Sequence, residues 1–596
     1  MDIPHGRWVL KLIGVWVCIA FTRAEAGSTP PDTLAVDTTR HGSVTVTAQA
    51  SPTINMFSFA GTLTEPEQRA YRADFFSLSL LQRGRLATGA FRGMPPGFYR
   101  FRYAGNVFTN PVTGFWDEQW IPHYRIAGRS PWNVTGEAYE PPHPFTRKPE
   151  TRVVFSQDYI IDLSFVDVNF VKRFSPRNYV QLSGANFLGD GTDVQDFSRF
   201  SLNPYHAQVH LERGELWKAD LFYWQIRHRF NIRTAPLAFT RDKFKIVSHL
   251  LWAQVQGRFS DRDSLSFVPA YTTVRDEYTR IQDKQRDLSY RWGQIFADYR
   301  RKLGQGIALG LEMWGQSRQI RGRRFWPERW EQEGRAALFL NAAGRGLELA
   351  VRGGWFHHTT GGTRGLGSVH LRLMGGRWSV EAAAFTRPRA TPMLWRTVQQ
   401  DTFPRLTSSQ LMREEGASFS LTTAPVSWFK IQVEPFAYRT RGYPVPDADA
   451  WRFLTVENRG VRLRGEVSLW NITLQNDFVY NHNYREAFAP RLQNITMLDV
   501  QVPLFGGALL AEGALMWRYW DRFRTVDFDR WIYHYRLSET MGGPFGVGDG
   551  RIMAHFRDAT VFFVWENFLS QDYAIVNGTV ENLAVFRLGI DWFLFN

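Results

Sequence analysis

The sequence predicts an all-β protein: a transmembrane antiparallel β-barrel of about 22 strands carrying a small N-terminal plug-like domain. Three observations predict it. From about Thr151 to the C-terminus, apolar and polar residues alternate with a period of two, broken at intervals by turn residues. Aromatic residues make up 15% of the chain, with 47 Phe, 23 Trp and 21 Tyr, a load suited to two interfacial girdles. Mean hydropathy is −0.32, and beyond the N-terminal apolar run no stretch approaches the roughly 20 apolar residues of a spanning helix. Strands that face lipid on one side and a polar lumen on the other reconcile a heavy aromatic content with a polar average. The length of 596 residues also exceeds what one compact soluble core holds.

The elements follow in order. Residues 1–26 read as an export signal. Arg7 and Lys11 flank an apolar run from Trp8 to Phe21, and Ala24-Glu25-Ala26 forms a small-x-small cleavage site. The single cysteine, Cys18, lies within that run behind Trp16-Val17. It therefore lacks the small residues of a lipid-acceptor site, and the mature chain is expected to hold no thiol. Residues 27–42 are Ser/Thr/Pro-rich and read as a flexible linker. Residues 43–150 are rich in Gly, Pro and irregular aromatics and form the plug-like unit; 151–596 form the barrel.

Alternation is clearest at the C-terminus. Ala584, Phe586, Leu588, Ile590, Trp592 and Leu594 share one face, Arg587, Gly589 and Asp591 the other. Val461, Leu463, Gly465 and Val467 stand likewise against Arg462, Arg464 and Glu466, and Val369, Leu371 and Leu373 against His370 and Arg372. Charged inner faces are harder to fit to a sandwich, whose inner faces are apolar. Tight turns are expected at 175–178, 213–215, 260–263, 304–306, 344–346, 375–377, Thr423-Ala424-Pro425, 468–471, 505–507 and 557–558. Longer polar stretches at 276–287, 319–331, 388–413, 442–455 and 521–550 lie between them. Short turns at one end and long loops at the other are the pattern of outer-membrane barrels. These hairpins, with a first strand near 152–158 and a last near 583–595, give the count of about 22.

Net charge is +14, carried mostly by arginine. Without a Lys/Arg-rich run or a nucleic-acid motif, the arginines are read as lining the lumen and facing lipopolysaccharide phosphates, with no nucleic-acid partner. Lumenal Arg462, Arg464 and Arg587 could guide anionic solutes, but a brace with Glu466 and Asp591 is favoured. The motifs of hydrolases, zinc proteases and phosphate-binding loops are missing, so neither catalytic residues nor a cofactor is expected. His357-His358 would point to opposite faces of a strand, which argues against a metal site.

Two stretches resemble TonB-dependent outer-membrane receptors. At the C-terminus, Glu566-Asn567 and Asp572-Tyr573 resemble that family's penultimate strand. Phe586, Gly589, Trp592 and Phe595 resemble its closing strand, although the chain ends on Asn596. Near the N-terminus Val44, Thr45, Val46, Thr47 and Ala48 look like the family's TonB-box region. Gly93, Gly105, Asn110, Pro111, Gly114, Asp117 and Pro122 resemble its plug motif. Ala104 stands where the family has Asp, and Arg125-Ile126-Ala127-Gly128 leads to Pro141-Pro142-His143-Pro144 rather than to the usual plug segment, so the plug looks reduced. The resemblance implies import of an unidentified solute through a plugged barrel, with the TonB complex, the barrel-assembly machinery, outer-membrane lipid and lipopolysaccharide as partners. A porin-like channel with a vestigial plug, and a surface-binding, adhesin-like barrel using loops 319–331 and 521–550, are the alternatives.

Overall fold

The computed structural model describes residues 59–595 apart from 79–85, 122, 134, 145–147, 159–161, 190–199, 234–240, 281–282, 323–327, 345, 398–405, 407–410, 448–449 and 580–583. Residues 1–42, where an export signal and a linker are expected, the segment 44–48 and Pro122 lie outside the described residues.

Twenty-two antiparallel strands, each hydrogen-bonded to the next, run from Glu150–Asp158 round to Val585–Phe595. The last pairs with the first, placing Gly589 opposite Ser156 and Asp591 opposite Val154. The closing strand alternates as expected: Leu588 is 48% exposed and faces outward, whereas Arg587 is 1% exposed and faces the lumen. Short turns close one end of the barrel, and nearly every one carries an exposed aromatic. Phe174, Phe259, Trp378, Trp428, Trp470 and Phe505 form this collar, Trp470 being 99% exposed. The tryptophans among them can sit with apolar bodies toward lipid and their indole N–H toward headgroups.

At the loop end several expectations need correction. The stretch 276–287 is mostly paired strand, because Asp263–Arg280 and Asp283–Gly304 run 18 and 22 residues. Strand Ile307–Gly322 likewise reaches into the stretch 319–331. Only about 9–11 residues are needed to cross the bilayer. Above lipid the ladder continues with polar outward side chains, which sequence polarity alone reads as loop. The turn expected at 423–425 lies three residues later, since strand Met412–Val426 continues through a register shift before pairing Val426 with Phe429.

Outward polarity on this tall wall is basic. Tyr205 and Tyr223 are outward on neighbouring strands, and Arg227, Arg229, Arg275 and Arg291 on this part of the wall are all exposed. Arg229 pairs across the ladder with Lys245, and Lys245 with Glu277.

Inside the ring lies the N-terminal unit. A mixed four-stranded sheet (Asn106–Phe108, Arg100–Tyr103, Gly136–Glu140, Gly128–Asn133) and a two-stranded one (Phe75–Ser77, Gly89–Phe91) form its frame. The wall is not charged throughout, as the alternation suggested. Phe222, Trp224, Phe244 and Trp252 point inward and are buried. Tyr103 and Phe108 of the plug pack on Trp224 at 5.0 and 5.3 Å. Rings that would be costly in an open channel are dry here because the plug covers them.

A Cβ at Gly589 would stand 2.3 Å from Phe562 Cζ and 2.4 Å from the Phe155 carbonyl oxygen, on opposite sides of the closing seam. Gly589→Val is therefore expected to destabilise closure by about 1–3 kcal/mol. The check is the fraction of heat-modifiable folded barrel on unboiled gels, compared with wild type.

Candidate functional site

The plug is fastened to the wall by buried ion pairs. Asp74 accepts from Arg72 at 3.0 Å and from Arg462 of the wall at 2.7 Å. Arg462 also holds Asp477 at 2.6 Å, and Asp477 accepts from the Ala73 N–H. Burial works against the Asp74 carboxylate, but these guanidiniums, Arg462 foremost, hold its pKa well below the usual range. Arg92 pairs with Glu434 at 2.7 Å, and Arg125 spans Asp167 at 2.7 and 2.8 Å. The brace read from sequence thus exists with other partners. Arg587 reaches Glu566 and the plug's Glu67, Asp591 binds Arg152, and Glu466 binds Lys430. Same-face residues four apart on one strand are about 13 Å apart, whereas cross-strand neighbours are about 5 Å apart.

The plug-motif residues have distinct places. Gly93 (φ +77°) lies against Ala487 and Asn458 of the wall and accepts the Phe488 N–H at its carbonyl. Gly105 (φ +78°) follows Ala104 (φ +44°) in the tight turn between Arg100–Tyr103 and Asn106–Phe108, where a Cβ would meet Val268 at 2.8 Å. Asn110 caps the next loop, accepting from the Val112 and Thr113 N–H groups, and donates to the Tyr290 hydroxyl. Pro111 and Gly114 bound the plug apex, and Asp117 accepts from the Ala87 and Gln119 N–H groups.

Among the C-terminal residues, Asn567 donates its N–H to Asp549 and Tyr573 stacks on Phe545 at 4.8 Å. Asp572 is exposed; Phe586 packs outside on Trp565, Trp592 faces outward, and Phe595 pairs with Glu150. These residues shape the seam and its loop, far from the plug apex.

The loops turn inward over that apex. The helix Met393–Thr397 is buried; its Met393 and Leu394 N–H groups donate to the Pro111 and Val112 carbonyls. The hairpin Phe523–Asp529 with His534–Gly542 also dips in. The Ile532 carbonyl accepts from the Trp395 indole at 3.0 Å, and Tyr535 meets Phe115 of the plug at 5.5 Å. His534 bonds the Pro444 carbonyl, and burial lowers its pKa to about 3, so it stays neutral in ordinary media. The aromatics of 521–550 offered as an exposed adhesive surface are in large part buried in this lid.

Beneath it lies a cleft between plug and wall, lined by Arg100, Arg318, Arg335, Arg387 and Arg389 with Glu333, Trp314 and Gln316. Glu414 serves Arg387 (2.6 Å), Arg389 (3.2 Å) and Arg100 (3.7 Å) together. Glu312 is shared by Arg335 and Arg352, and Glu331 by Arg318, Arg329 and Arg396. His358 is buried in this cluster while His357 faces out, so the two do not share a site. Sequence reading missed the cleft. Its one local signal is Arg387-Pro388-Arg389, two arginines two apart and hence on one face of a strand end.

Solved structures share this architecture. The FrpB iron transporter from Neisseria meningitidis superposes with a TM-score of 0.70 at 10% identity, over 89% of this chain and 96% of that one. The siderophore receptor PirA from Acinetobacter baumannii gives 0.69 at 9%, over 89% and 100%. A mutant of the ferric enterobactin receptor PfeA from Pseudomonas aeruginosa, in complex with enterobactin, gives 0.70 at 9%, over 90% and 97%. The chain has the 22-strand barrel fold of TonB-dependent receptors. No protein-family model matches the sequence, and no curated protein matches it.

Glu118 of the plug yields a pH test. Burial raises its pKa from 4.5 to about 7, against the pull of Arg69 at 3.1 Å. Unfolded, it ionises near the ordinary value. Its contribution is therefore undiminished below about 4.5, and stability is lost as pH rises from there through 7. The stability of Glu118→Gln relative to wild type is expected to climb by on the order of 1–3 kcal/mol between pH 5 and pH 8. Denaturant titrations of the plug tryptophans at both pH values check this.

Proposed function

We propose that this chain is an outer-membrane importer of the TonB-dependent type, capturing a solute above the plug and releasing it to the periplasm when the plug is remodelled. The observation that carries the reading is the lumen itself: plug residues touch inward side chains on strands right round the ring, from Asp167 and His228 to Glu434, Arg462 and Arg587. Such a filling suits gated passage rather than free diffusion. The structural neighbours, an iron transporter, a siderophore receptor and a ferric enterobactin receptor, support the same class. In this reading the chain is exported by cleavage after Ala26. The segment 44–48, behind its linker, would add as a strand to an inner-membrane partner that supplies the energy. Residues 43–150 then serve as the plug domain, and Asp74, Arg92, Arg125 and Arg462 fix where it sits against the wall.

The test is single-channel conductance of the refolded full-length protein beside a variant lacking residues 27–150. The intact protein is expected to stay closed and the truncation to open a wide pore. Equal, steady conduction by both would make the protein a porin. In cells, deletion of residues 40–50 is expected to abolish energy-dependent uptake while leaving the barrel assembled. Undiminished uptake would remove the TonB-type coupling.

A further inference from the structure

We propose that the arginine cleft under the lid binds a multiply charged anion, a solute bearing two or more carboxylate or phosphate groups. The identification of that anion as cargo rests on the importer reading; the binding itself does not.

The argument is one of charge. Around the cleft, Arg100, Arg318, Arg335, Arg387 and Arg389, with Arg329, Arg352 and Arg396 behind them, share the carboxylates of Glu312, Glu331, Glu333 and Glu414. Among the described residues, eight guanidiniums meet four carboxylates, an excess of four positive charges in one half-buried volume. Elsewhere in the lumen the pairing is close to one to one, as in Arg125–Asp167, Arg152–Asp591 and Arg286–Asp276. Uncompensated buried charge is expensive, and a protein relieves it by pairing, by shifting the proton, or by taking up a counter-ion. Here the arginines already share the four carboxylates among them. Burial, reinforced by Arg387, pushes the Arg100 guanidinium pKa well below its usual value, the direction expected where positive charge is in surplus.

The lining also offers unused hydrogen-bonding groups. Gln316 is 4% exposed, and among the described residues neither atom of its amide has a hydrogen-bond partner; the Trp314 indole N–H likewise has no acceptor among them. Donors of this kind beside planar guanidinium forks match oxyanions, which accept several bonds per group and pair with arginine bidentately. A cation would be repelled, and a neutral solute would leave the surplus in place. The plug forms the floor of the cleft through Gly97, Asn110 and Gly114, and Pro392, next to the lid helix, forms part of its edge. A bound anion would therefore touch plug, wall and lid together.

The probes are citrate and inorganic pyrophosphate, added to the purified full-length protein at constant ionic strength, with sodium chloride and spermidine as controls. The readouts are thermal unfolding and tryptophan fluorescence. At least one of the two anions is expected to raise the unfolding temperature saturably, while chloride and spermidine do not. A response to citrate alone assigns carboxylate chemistry, and to pyrophosphate alone phosphate chemistry. Gln316→Glu places a carboxylate among the guanidiniums. It is expected to raise the unfolding temperature without ligand and to abolish the anion-induced shift, a pair of effects that a misfolded variant cannot give. Arg335→Gln is expected to weaken binding with the barrel still heat-modifiable. The proposal is overturned if neither anion shifts the wild type, or if Gln316→Glu responds as the wild type does. A protein that conducts only after plug removal yet ignores both anions keeps the importer reading and loses this one. A porin that binds them does the reverse.

Discussion

Everything in this molecule depends on one demand of the lipid: a strand edge within hydrocarbon leaves backbone N–H and C=O groups that nothing there can satisfy. The only escape for a sheet is to close on itself, and the pairing of Val585–Phe595 with Glu150–Asp158 is that closure. It sets the rest in sequence. A ring of 22 strands encloses a wide lumen, a wide lumen must be either wet or filled, and this one is filled. The small side at Gly589, with Phe562 and the Phe155 carbonyl pressed against it, shows how little room the seam leaves.

Two kinds of contact hold the filling, and they differ in what they contribute. The aromatic side, where Tyr103 and Phe108 meet Trp224 and Trp252, provides adhesion, since each buried ring contributes about 2–3 kcal/mol. The ionic side, with Asp74, Arg92, Arg125 and Arg462, adds little net stability once desolvation is counted, yet removing a single partner costs about 3–5 kcal/mol. Ion pairs of this sort specify position more than they glue. The two kinds of contact are interleaved round the ring: Phe91 and Phe98 meet Tyr438 beside the Arg92–Glu434 pair, and Asp117 pairs with His228 on the strand that carries Trp224.

What was legible in the sequence follows the same physics. Strand alternation, the short turns other than the one expected at 423–425, and the final strand are local signals, enforced residue by residue where one face meets lipid, and they could be read from Phe586 to Trp592 or from Val461 to Val467. The tall wall could not. Above the membrane the outward face of Asp263–Arg280 and Asp283–Gly304 is polar, and alternation fades although pairing continues. The arginine cleft was hidden for another reason: Arg100, Arg318, Arg335 and Arg387 come from the plug and three separate strands, and only the folded chain brings them together. Nor could composition announce that Trp395 and Ile532 fold inward, because a buried lid and an exposed loop draw on the same residues.

The uneven height of the wall carries its own consequence. The collar of aromatics keeps the turn ends level, so the 22 residues of Asp283–Gly304 against the 8 of Ala559–Glu566 put the difference at the opposite rim. The mouth is therefore oblique, a scoop with a backstop on one side and a low lip on the other. The exposed Arg227, Arg229, Arg275 and Arg291 stand at the foot of that backstop, just above the tyrosines, where the phosphate-bearing surface of the outer leaflet would meet them.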